Sequence, residues 1–229
     1  YKLTDLPDYD KIASTLNTIG KYITDNNMRV TSHPGPFNVL TSPKEKVVEN
    51  CIHDLTVHGE TFDLMGLSRT PFNKINIHIG GAYGDKDMAM KRFCENFNRL
   101  PKSVQDRLTV ENDDRDSLYS VTDLYHGVYK IIGIPIVFDY HHHKFCDGGL
   151  SEEAALNLAC KTWGIVKPVI HYSESRSIEY NDSTIKPQAH SDYVYDYINT
   201  YGRNVDIMIE AKHKELAVLK YLNIHKMAI

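Results

Sequence analysis

Twelve histidines stand among the 229 residues, and three of them, His141, His142 and His143, are consecutive. Their placement points to chemistry. His33, His78, Glu111, Asp139 with His142, His171 and Glu210 each stand at or just after the C-terminal end of a short run rich in Val and Ile. One such residue has an ordinary explanation as a surface group or a hydrogen-bonded core group. Six runs ending in metal-ligand types do not, because gathering so many buried ionisable groups without a cation is prohibitive. Mixed imidazole and carboxylate donors suit Zn2+, Mn2+ or Fe2+, whereas Ca2+ and Mg2+ favour all-oxygen sites. Asp139-x-x-His142 puts two ligand types on one strand exit. Alternation along a strand keeps the triplet from pointing one way together. His142 is therefore read as a ligand, and His141 and His143 as its support or as substrate contacts.

The elements that must position these residues alternate. Apolar runs at 28–33, 74–80, 107–113, 135–142, 166–172 and 205–212 read as buried parallel strands. Helical patterns lie at 9–27, 42–65, 85–100, 117–132, 151–163, 191–201 and 214–225. In the second, Ser42-Pro43-Lys44-Glu45 reads as a capping box with proline at the first helical position, and Gly66 as a C-terminal cap. Alternating strand and helix define an α/β fold with a parallel sheet. An open sheet gathers its site at one switch point, whereas a (β/α)8 TIM-type barrel brings every strand end to one rim. Ligand types on all six strand ends select the barrel, as a single domain over residues 1–229.

Composition narrows the function classes. Net charge is −4, from 26 basic and 30 acidic residues, so bulk charge does not hold this chain to nucleic acid. The four cysteines form no CxxC pair, which argues against a zinc ribbon or a disulfide framework and fits a reduced, intracellular protein. No apolar stretch is long enough to span a bilayer, no membrane is expected as a partner, and the opening residues lack a signal peptide's apolar centre.

Two loops suit a large anionic substrate. His33-Pro34-Gly35-Pro36-Phe37-Asn38 sets an apolar ring, Phe37, where it can stand out from the strand ends. Gly80-Gly81-Ala82-Tyr83-Gly84-Asp85-Lys86 leads into a helix and carries a lysine, reading equally as a phosphate cradle or as a simple turn. Tyr193, Tyr195 and Tyr197, in a segment read as helical, read as amphipathic packing.

The blocks HPGPFNVLTSP (33–43), INIHIGGAYGDK (75–86), RLTVENDD (107–114), IPIVFDYHHH (134–143), VIHYSESR (169–176), AHSDYV (189–194) and IMIEAKHKE (207–215) together resemble the UV damage endonuclease family. That family is similar to endonuclease IV and the xylose-isomerase-like barrels. The resemblance implies a metal-dependent, ATP-independent DNA repair endonuclease that incises 5′ of cyclobutane dimers, (6-4) photoproducts and abasic sites. It implies damaged double-stranded DNA as partner, a monomer, and two or three divalent ions. Mn2+ is the expected ion, with Zn2+, Co2+ and Mg2+ as alternatives. His33, His78, Glu111, Asp139, His142, His171, His190 and Glu210 fall on the family's ligands, with His190 coming from the resemblance alone. Glu111, Glu210 and His142 are the residues expected to act in catalysis. Pro36, Phe37, Asn38, Tyr83, Lys86, His141, His143 and Arg176 are those expected against DNA. The sequence departs from the family pattern twice. Pro36 stands where Gln is usual beside the probing aromatic residue. Val169 stands where many members carry a carboxylated lysine ligand, and Lys167 would need a shifted strand to replace it.

The rival readings are a Mn2+-dependent sugar isomerase or epimerase of the same barrel class, and a lesion-binding protein without activity. A small sugar needs neither the Phe37 loop nor the Lys86 loop, and a binder needs no such ligand set. The six strand-end ligands are spaced about 35 residues apart, and a closed barrel has eight strands in about 250 residues. The expectation is therefore six parallel strands here, with the barrel's first two lying upstream of Tyr1.

Overall fold

The structure, a computed structural model, describes residues 2–227. In chain order the main elements are α1 (Tyr9–Asp25), α2 (Glu45–Leu64), β1 (Ile75–Ile77), α3 (Lys86–Phe97), α4 (Lys102–Gln105) and β2 (Leu108–Glu111). There follow α5 (Val121–Leu124), a π turn (Tyr125–Tyr129), α6 (Lys130–Ile132), β3 (Ile136–Asp139) and α7 (Tyr140–His143). The last are α8 (Glu152–Cys160), β4 (Val169–Tyr172), α9 (Arg176–Glu179), β5 (Asp206–Ile209) and α10 (Lys214–Ile224). Among the described residues no helix is long and apolar enough to cross a membrane.

The chain groups into two compact units. The first takes in everything through Glu111 and Leu124–Ile136, and the second Asn112–Asp123 and the chain from Val137 onward. In the first, β1 and β2 pair in parallel, with Asn76 opposite Thr109. The Val110 N–H donates to Pro135 O on the approach to β3. Ile75, Ile77, Leu108 and Val110 of the strands are buried, as are Leu55 of α2 and Phe93 of α3.

The first expected strand, 28–33, is reduced to a single parallel bridge at Ser32. Its N–H donates to Lys74 O and its carbonyl accepts from the Asn76 N–H. Pro34 ends the ladder there, since it has no N–H to give. Five strands are thus present among the described residues, where six were expected. Helix α2 also begins later than expected, at Glu45 with Lys44 as N-cap. The Ser42 hydroxyl takes the Lys44 N–H instead, so the capping box does not form. The C-terminal end matches expectation: Gly66 has φ +70°, and the N–H groups of Gly66 and Leu67 close on Asp63 O and Phe62 O.

Beneath that helix end lies Arg107, which leads into β2 and has no exposed surface. Its guanidinium donates to Leu67 O (2.6 Å), Ser103 O (2.8 Å), Ser68 O (3.1 Å) and Asp63 Oδ1 (2.8 Å). One cation thus fastens α2, the turn after it, α4 and the start of β2, and its charge suits the carbonyl end of a helix. Arg69 grips the same Asp63 from outside through two hydrogen bonds.

In the second unit β3, β4 and β5 are parallel, with Asp139 opposite His171 and Val169 opposite Asp206. Val137, Trp163 and Val169 form a small core with Val166 and Met208. The run 135–142 does not stay extended. Asp139 caps a helical turn, Tyr140–His143, by accepting the His142 N–H at 2.7 Å. The histidine triplet therefore fans out by helical rotation and not by strand alternation.

The expected helix at 191–201 does not form. Carboxylates from elsewhere take its amides: Glu179 accepts from the Asp192 and Tyr193 N–H groups, and Glu174 from those of Tyr195 and Asp196. Side-chain acceptors replace the helical ladder, and the three tyrosines lie on an irregular loop.

Burial pushes the Asp63 carboxyl up, but hydrogen bonds from Arg69 and Arg107 outweigh it and hold it below its ordinary value. A depressed carboxyl contributes stability that is present above its unfolded value and is lost as pH falls through the folded one. Asp63→Asn should cost about 1–3 kcal/mol at pH 7. It should also flatten the loss of stability below pH 4, as urea unfolding at pH 7 and pH 3 will measure.

Candidate functional site

The first unit brings His33, His78 and Glu111 together. Glu111 ends β2 with no exposed surface. Thr109 donates its hydroxyl to Asn76 Oδ1 (2.8 Å), which turns the Asn76 amide N–H toward Glu111 Oε2. His33 Nε2 stands 3.3 Å from that same oxygen, and the His33 and His78 rings lie 5.8 Å apart. His33 Nδ1 faces Pro34 O at 3.3 Å, an acceptor that favours the proton on Nδ1 and the lone pair on Nε2. Two donors about 2.1 Å from one tetrahedral ion lie about 3.4 Å apart, so the His33–Glu111 spacing fits a shared cation.

The second unit holds Asp139, His142, His171, His190 and Glu210. Asn112 organises the first two. Its side chain accepts from the Asp139 N–H (2.9 Å) and donates to Asp139 O (3.0 Å), imitating a strand bridge. Its own carbonyl lies 2.9 Å from His142 Nδ1. A carbonyl can only accept, so the proton sits on Nδ1 and the lone pair on Nε2, as metal-binding histidines are commonly held. His171, fully buried on β4, places Nδ1 2.9 Å from Glu210 Oε1. The Glu210 N–H is fixed by Tyr172 O. His190 arrives by an antiparallel bridge with Ser175 and sets Nδ1 3.8 Å from Glu210 Oε2. The donor set in each unit is imidazole with carboxylate, which fits a borderline divalent ion.

The residues expected against DNA divide. Phe37 and Tyr83 are exposed, at 67% and 53%. Pro36 is exposed, and Arg176 and Lys86 are half-buried. Arg176 stands over the Tyr180 ring and 3.8 Å from Asp192. Asn38, His141 and His143 are buried. His141 packs on Phe145 and His190, and burial foremost pushes its imidazole down to about 4, so it is neutral at pH 7. His143 packs on Phe138 and is lowered for the same reason. The glycine-rich loop caps its own helix: Asp85 accepts the Met88 N–H at 3.0 Å. A carboxylate stands where the cradle reading would put a phosphate.

Val169 belongs to the small core, and Lys167 pairs with Asp206. The register that sets Val169 opposite Asp206 holds the strand unshifted. Asn76 and Asn112 escaped the sequence reading. The signal for the first is a polar residue inside the apolar run 75–79. For the second it is the position directly after Glu111.

The fold that carries these groups is a parallel α/β fold of the endonuclease IV kind. Endonuclease IV from Thermus thermophilus superposes with a TM-score of 0.62 over 97% of this chain and 83% of its own, at 13% identity. The family model for UV-endonuclease UvdE matches residues 6–228, and the chain belongs to that family. A "UV DNA damage endonuclease" of Bacillus mycoides (strain KBAB4) is 37% identical over 228 residues, covering 94% of this chain and 68% of the relative. The crystal structure of SacUVDE has a TM-score of 0.81 at 36% identity, covering 95% of this chain and 72% of that one. The chain spans between 63% and 68% of the length of the first three curated relatives it matches.

Asn112→Ala should cost about 2–3 kcal/mol, because it strands the buried N–H and C=O of Asp139 without partners. Thermal unfolding of the purified variant measures this.

Proposed function

We propose that this chain carries out metal-dependent incision of damaged double-stranded DNA, as a monomer of the (β/α)8 barrel class. The cut falls immediately 5′ of UV photoproducts and of abasic sites, without ATP. Three findings support the reading: membership of the UvdE family, the activity for which its relatives are named, and the two imidazole–carboxylate groups. The observation that carries it is the buried Glu111 carboxylate, backed by Asn76 and faced by His33 Nε2.

The proposed ligands are His33, His78, Glu111, Asp139, His142, His171, His190 and Glu210, holding two or three ions, Mn2+ foremost. Bound there, a divalent ion supplies a Lewis acid for the phosphodiester and a lowered pKa for attacking water. The protein's share is orientation. Asn112 fixes the His142 tautomer, Pro34 O that of His33, and Asn76 aims Glu111. No side-chain nucleophile is required. Phe37 is the group that enters the duplex at the lesion, where stacking is already weakened and opening costs least.

An end-labelled oligonucleotide duplex with one cyclobutane dimer, incubated with the chain and Mn2+, should be nicked 5′ of the dimer. Retention without a nick supports a binder, and no interaction at all defeats the reading. Losing even a residue that only supports a metal ligand typically costs 10–100-fold, so Glu111→Gln or Glu210→Gln should lower incision by about a hundredfold or more. Phe37→Ala should weaken lesion binding by roughly 1–3 kcal/mol, measured by fluorescence anisotropy. Mn2+ at about 100 times its dissociation constant should stabilise the protein by about 2.7 kcal/mol in thermal unfolding.

A further inference from the structure

Two side chains one turn apart on α2, Asp54 and His58, reach both ends of the loop that displays Phe37. His58 Nδ1 lies 2.7 Å from Ser32 Oγ, where the loop leaves its bridge to β1. His58 Nε2 faces Asp54 Oδ2 at 3.8 Å. That same Asp54 oxygen accepts a hydrogen bond of 2.8 Å from the Asn38 amide at the loop's far end. The Asn38 amide also donates to Gly35 O (3.1 Å), closing the turn on itself. The carboxylate beside Nε2 favours the proton there, which leaves Nδ1 to accept from the Ser32 hydroxyl. The two ends of the loop are thus each hydrogen-bonded to the same turn of α2, Asn38 to Asp54 and Ser32 to His58.

The loop between these anchors has little freedom of its own. Pro34 and Pro36 fix two of its φ angles. Gly35 lies under the Phe37 ring, and a Cβ at that position would stand 2.4 Å from Phe37 Cε1. Beyond Asn38 the chain is tied to α3, with Arg92 donating to Thr41 O and Asn96 to Leu40 O, both at 2.8 Å. The Phe37 ring, with Pro36 beside it, is offered to solvent on a support fastened from behind.

We propose that Asp54 and His58 are positioning residues for this loop, and that they hold Phe37 in the orientation in which it meets a duplex. The order Ser, His, Asp does not make Ser32 a nucleophile. The His58–Asp54 separation exceeds a hydrogen bond, and both Ser32 backbone groups are fixed in the bridge. Histidine and aspartate act here as a strut. The consequence for DNA rests on the proposed endonuclease reading, whereas the strut itself does not, and the test separates the two.

Chymotrypsin cleaves after exposed aromatic residues in chain that can open locally. In Asp54→Ala and His58→Leu, cleavage after Phe37 should rise about tenfold, as expected when charge-assisted bonds that close a local opening are lost. Cleavage after Tyr197, equally exposed at 68% in the other unit, should not change. Asp54→Asn keeps an acceptor for Asn38 and should stay near the parent rate. Equal cleavage after Phe37 in parent and variants, or an equal rise at both sites, overturns the proposal. Affinity for a dimer-containing duplex then supplies the second readout. Asp54→Ala should weaken it in the parent and have no further effect in a Phe37→Ala background. Additive losses would show that Asp54 does not act through Phe37 and would also overturn it. If the loop opens as expected while Phe37→Ala itself leaves affinity unchanged, the strut stands and the reading of Phe37 as the duplex probe fails.

Discussion

A carboxylate with no exposed surface must be met by donors or a cation, or it does not stay ionised. Glu111 imposes that condition on the first unit. It is met by a hydrogen-bonded file, Thr109 to Asn76 to Glu111, with His33 Nε2 against the same carboxylate oxygen. The file works only in one strand register, because Thr109 and Asn76 are cross-strand partners. A one-residue slip of β2 would turn Thr109 and Glu111 to the face away from Asn76 and break both bonds. The buried Arg107 helps hold that register, since it binds the beginning of the same strand to α2, α4 and the turn after α2.

Asp139, equally buried, sets the same condition in the second unit and is met differently. One carboxylate oxygen is taken up by the His142 N–H, which bends the chain from strand into helical turn. Asn112 supplies the neighbouring strand contact with its side chain and the tautomer of His142 with its carbonyl. In both units an asparagine braces the acidic residue, at the carboxylate of Glu111 and at the backbone of Asp139, and a backbone carbonyl, Pro34 O or Asn112 O, orients an imidazole lone pair. This arrangement of supporting groups around ligand-type side chains is what a divalent ion requires. It gives membership of the UvdE family a chemical basis at the level of single atoms.

His141 and His143 are buried. Their rings lie against Phe145, His190 and Phe138, where a charged imidazole would be costly, and they remain neutral. Phe37 and Tyr83, on the loops that follow Ser32 and β1, are exposed, as is Pro36. Buried polar groups thus set the geometry, and apolar rings make the outward surface.

The sequence alone determined the alternating α/β pattern, the strand ends that carry His78, Glu111, Asp139, His171 and Glu210, and the glycine stop of α2. These follow from local rules, namely the apolar period, the length of a run, and a φ that glycine adopts without strain. Four features had to wait for the tertiary structure. The 28–33 run shrinks to one bridge because the Asn73 side chain takes the Val30 N–H before it and Pro34 has no N–H to give after it. The triplet becomes a helical turn because Asp139 caps it. The 191–201 segment stays irregular because Glu174 and Glu179, distant in sequence, take its amides. Asn76, Asn112, Asp54 and His58 acquire their parts only through partners dozens of residues away or across a turn. A hydrogen bond is decided by which donor and acceptor meet in space, and that pairing is set by packing, which no local pattern encodes.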